Sequence, residues 1–91
     1  MLKQYINILK NFEYRHVYQS TSQLDYQLLD DKDRVYRYVE IKDNWGTYDL
    51  KVSFYEDGVY LGNNIYKGLT KEETHVKLEL LVNDGMKVEE E

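Results

Sequence analysis

From Arg34 to Leu61 the chain alternates, and this alternation limits the possible folds more than any other feature. Val35, Val39 and Ile41 fall on one side of Arg34–Lys42, with Arg37 as the exception, and Tyr36, Tyr38 and Glu40 fall on the other. Tyr48, Leu50, Val52 and Phe54 then alternate with Asp49, Lys51, Ser53 and Tyr55. Period-two alternation rich in β-branched and aromatic residues marks half-buried strands. Asp43–Gly46 and Glu56–Gly58 are turn material, because Asp and Asn tolerate left-handed backbone and Gly adopts it freely. Asp57-Gly58 between two such runs is the strongest hairpin signal in the chain. Consecutive strands with short connections predict an antiparallel meander.

The flanking segments extend this block. Leu2, Tyr5, Ile6, Leu9 and Phe12 recur at helical spacing, with Ile8 off the stripe. They predict an amphipathic helix of roughly three turns. Glu13 to Thr21 reads as a first strand, with Tyr14, His16 and Tyr18 on one side. Leu24, Tyr26 and Leu28 alternate with Asp25 and Gln27 and give a second. Gly58 to about Tyr66 is the last strand, with a bulge or bend suggested at Gly62–Asn64.

Thr70-Lys71-Glu72-Glu73 matches a capping box and predicts a helix to about Asn83, with Gly85 as its stop. Val76, Leu78, Leu80 and Val82 alternate as a strand would. The cap, the early glutamates and Leu81 favour the helix. The fold class is therefore α+β over a single domain, residues 1–91: an N-terminal helix, an antiparallel meander of four to five strands, and a C-terminal helix. Both helices are expected on one face of the sheet. Glu89–Glu91 reads as a disordered acidic tail.

Composition narrows the function. Cysteine is absent, so neither disulfides nor thiolate chemistry are available. No apolar run approaches the ~20 residues of a transmembrane helix, and the N-terminus does not read as a signal peptide. A cytoplasmic protein away from membranes is expected. The net charge of −5 argues against nucleic acid, whose binding draws on cations. Proline and alanine are missing, while Tyr, Lys and Asn supply 25 residues. That is the imprint of A/T-rich coding, as in a low-GC bacterium or its phage.

Catalytic signals are weak. His16 and His75 have no metal-ligand spacing. Asp31-Lys32-Asp33 opens like a calcium loop, but Tyr36 and Lys42 stand where Gly and Glu are needed. Ser20, Ser22 and Ser53 sit in no nucleophile elbow, and no phosphate loop is present. Neither catalysis, metal nor cofactor is expected.

Ten tyrosines, with Trp45 in addition, are the feature above background. Tyr48, Tyr26 and Tyr5 share register with apolar neighbours and belong to the core. Tyr36, Tyr38, Tyr55 and Tyr60 fall on the opposite side and form a candidate aromatic patch, with Trp45 as a further contact candidate. Tyrosine is enriched at interfaces; it also suits a solvated strand face without further role. Asp30, Asp31, Asp33 and Glu40 are the candidates for an acidic surface. The expected function is a small acidic protein-binding module acting through one of these surfaces. In size, charge and lack of catalytic motifs the chain resembles phage or mobile-element inhibitors of host enzymes, a resemblance of type with no shared motif. The alternatives are a homo-oligomeric accessory protein, such as a homodimer, and single-stranded nucleic-acid binding on the aromatic face.

Overall fold

The computed structural model describes residues 2–83 of the chain. The order is α1 (Lys3–Asn11), β1 (Arg15–Gln19), β2 (Gln23–Leu29), β3 (Val35–Asn44), β4 (Thr47–Glu56), β5 (Val59–Leu69) and α2 (Lys71–Asn83). The strands form one antiparallel sheet in sequence order. This is the expected α+β meander between two helices. The expectations for Gly85 and for Glu89–Glu91 lie outside the described residues.

One face of the sheet carries the core. Leu24, Tyr26, Val39, Ile41, Leu50, Val52 and Phe54 are buried there with Leu2, Tyr5 and Leu9 of the N-terminal segment and Leu78 and Val82 of α2. The Tyr5 ring meets Tyr48 edge-on at 5.6 Å, and its hydroxyl donates to the Lys71 carbonyl at 3.2 Å. Tyr5 thus ties α1 to both the sheet and the start of α2. Ile8, off the sequence stripe, also packs against this cluster.

Helix α1 stops on backbone geometry. Glu13 takes φ 67°, its N–H donates to the Lys10 carbonyl, and the Tyr14 N–H reaches back to Leu9 at 2.9 Å. This is a Schellman-type end, with buried Tyr14 and Leu9 as its apolar contact. It corrects the strand expected from Glu13: β1 begins at Arg15, and Tyr14 is core. A bulge at Val17 then separates the pairs His16–Tyr26 and Tyr18–Asp25. His16 and Tyr18 therefore do not share a face as simple alternation requires.

Helix α2 opens with the predicted capping box. The Glu73 N–H donates to Thr70 Oγ1 at 3.1 Å, and the Thr70 N–H donates to Glu73 Oε1 at 3.0 Å. The period-two run resolves into two stripes on one helix. Thr74, Leu78 and Val82 face the core, and Val76 and Leu80 stay exposed.

Arg37 breaks the apolar register of β3 because it is a core-side residue with aromatic partners. Its guanidinium carbon lies 3.9 Å from the Tyr36 ring centroid and 4.8 Å from that of Phe54. Nη1 donates to the Tyr36 carbonyl at 2.8 Å. Stacking between rings is a role the planar guanidinium fills and an ammonium does not.

Burial of Tyr14 makes the stability of the fold depend on alkaline pH. Burial pushes the Tyr14 phenol up to about 12, against the pull of Arg37. A group whose folded pKa is raised stabilises the fold below its unfolded value. That contribution is lost as pH climbs from 10 through about 12. Two units correspond to roughly 2–3 kcal/mol. The Tm of Tyr14→Phe should therefore fall less steeply across this window than that of wild type. Parallel Tm–pH curves would show that Tyr14 ionises as readily folded as unfolded.

Candidate interaction surface

Neither helix contributes to the sheet's second face. Its rungs follow from the register. One runs Gln27–Tyr38–Ser53–Asn63, and the next runs Tyr18–Asp25–Glu40–Lys51–Ile65. The pleat places these side chains opposite the core residues of the same strands.

The polar groups of this face are mutually satisfied. Asp25 is buried within it, and each of its carboxylate oxygens accepts one bond. Tyr38 donates to Oδ2 at 2.8 Å and Gln23 Nε2 to Oδ1 at 2.9 Å. Burial, reinforced by this bond and by the charges of Asp25 and Glu40, raises the Tyr38 phenol pKa. Tyr38 is thus a held donor, not a base. Glu40 faces Lys51 across the ladder with 3.7 Å between charged atoms. A shallow depression of about 220 Å³ beside this pair is walled by Lys42, Asp49 and Lys67, so both signs of charge line it. Among the described residues, no group of three or more His, Cys, Asp or Glu could hold a metal ion.

Three of the four candidate tyrosines come together. Tyr55 and Tyr60 meet edge-on at 5.5 Å, and Tyr38, paired with Ser53, is the diagonal neighbour of Tyr55 on the same face. Asn63 Nδ2 donates to the Tyr60 hydroxyl. Tyr36 does not join them, because its ring is turned onto Arg37. Tyr18 and Ile65 belong to this face and were not singled out by the sequence. The bulge at Val17 conceals Tyr18. Asn63-Ile65-Lys67 alternates in register with the face and was legible, but the neighbouring Gly62 reads more readily as a bend.

The acidic candidates do not form one surface. Asp30 Oδ1 accepts the N–H groups of Lys32 and Arg34, and Oδ2 takes Arg34 Nε at 3.0 Å. The backbone bond from Arg34, with the other donors, holds its carboxyl below the usual range. Arg34 also reaches Asp57 at 3.1 Å, linking two turns at one end of the sheet. Asp31 and Asp33 are exposed at this end. Glu40 is on the central face, paired with Lys51.

Trp45 stands apart from the tyrosines. Six residue steps along β3 lead from Tyr38 to Asn44, or about 20 Å of extended chain. The β3–β4 loop is only Trp45-Gly46, closed by the pair Asn44–Thr47, with φ 57° and 101°. The β4–β5 loop is built the same way from Asp57-Gly58, with φ 52° and 80°. Two positive φ values in a two-residue loop define a type I′ turn, whose first position suits Asn, Asp or Gly. Asp meets that preference at 57. At 45 the chain places a tryptophan instead, and its side chain is fully exposed. Left-handed backbone costs a bulky residue roughly 1–2 kcal/mol. No burial of the indole offsets it.

Comparison with protein-family models, with curated proteins and with solved structures finds no match.

Trp45→Asn restores the preferred turn residue. It should raise stability by about 1 kcal/mol, or about 4–8 °C in Tm for a domain this size. A lower Tm would show that the indole makes a stabilising contact within the chain.

Proposed function

We propose that this chain is a small, non-catalytic protein-binding module, with Trp45 as its anchor and the bare sheet face as its platform. Trp45 carries the reading. It sets a bulky, fully exposed indole in a left-handed position that disfavours it, whereas the same turn type at Asp57-Gly58 uses a residue suited to that position. Strain and exposed aromatic surface concentrate where an external contact offsets them. Tryptophan and tyrosine are also the residues that dominate binding energy when desolvated at an interface centre.

The acidic balance of the chain favours a partner with a basic rim around an apolar pocket. Single-stranded nucleic acid fits less well, because Asp25 and Glu40 share a rung with Tyr18 and lie beside Tyr38. The saturated hydrogen bonds of Asp25 and Tyr38 favour a rigid contact surface over a reaction centre. A phage or mobile-element inhibitor of a host enzyme remains the type of protein we infer, on composition, size and charge.

The test is capture from a low-GC bacterial lysate with wild type, Trp45→Asn and Tyr55→Ser/Tyr60→Ser, each at low and high salt. A discrete partner held by wild type and lost by Trp45→Asn is the expected result. A partner held equally by all three proteins would remove both the anchor and the platform.

A further inference from the structure

We draw no further inference here: the strongest candidate, the exposed apolar stripe of Val76 and Leu80 on α2 with the shallow groove of about 400 Å³ that it shares with Leu69, is an unpartnered face, and nothing in the structure shows what covers it.

Discussion

Eight consecutive pairs, from Arg37–Phe54 to Asn44–Thr47, join β3 to β4 without a shift. Each of the other three ladders has at least one. This hairpin fixes which residues face the helices. A slip of one residue would exchange Val39, Ile41, Leu50 and Val52 for Tyr38, Glu40, Lys51 and Ser53. Burying each apolar side chain contributes about 1.5–3 kcal/mol, so the correct register is favoured by several kcal/mol. The left-handed backbone at Trp45 costs roughly 1–2 kcal/mol. The core, not the turn, therefore decides the register. That margin is what allows the turn to carry a residue chosen for something other than folding.

The same balance explains how much was legible in the sequence. Where alternation is unbroken, as in Tyr48–Phe54, the side-chain faces follow from period two alone. The start of α2 was legible because a capping box is a local exchange between Thr70 and Glu73. Legibility ends at the bulges. One extra residue at Val17 moves Tyr18 to the bare face and His16 away from it, and composition carries no trace of that residue. Leu61 is likewise unpaired between Tyr60 and Gly62, so Tyr60 joins Tyr55 while Gly62 backs onto Phe54. Tyr36 was misplaced for another reason. Its backbone alternates as read, but the cation beside it draws the ring onto Arg37. In α2, an alternating run on a helix spreads over two faces, and only packing shows that Leu78 and Val82 are the buried pair.

The bare face is preorganised. Its central carboxylate, Asp25, is held by a tyrosine on β3 and a glutamine on its own strand, and Glu40 is held by a lysine on β4. Half-satisfied buried groups would leave the face free to rearrange; satisfied ones hold it in one arrangement. Contact surfaces on rigid strands lose less conformational entropy on binding than surfaces on loops. Trp45 has the same property by a different route. A type I′ loop of two residues has little freedom beyond the indole's own rotamers.

Among the described residues, the apolar side chains more than half exposed are Trp45 at the tip of the β3–β4 hairpin, Val59, Leu61 and Ile65 on β5, and Val76 and Leu80 on α2. Scattered singly, such residues need no explanation. Here two of the groups stand beside an internal comparison that lacks them: Asp57-Gly58 against Trp45-Gly46, and the buried stripe of α2 against the open one. In each pair the fold is equally served by the plainer member, so folding alone does not select the costlier one. Trp45 lies at the far end of β3 from the Tyr38–Tyr55 region, so a partner that engages both must span about 20 Å of the sheet.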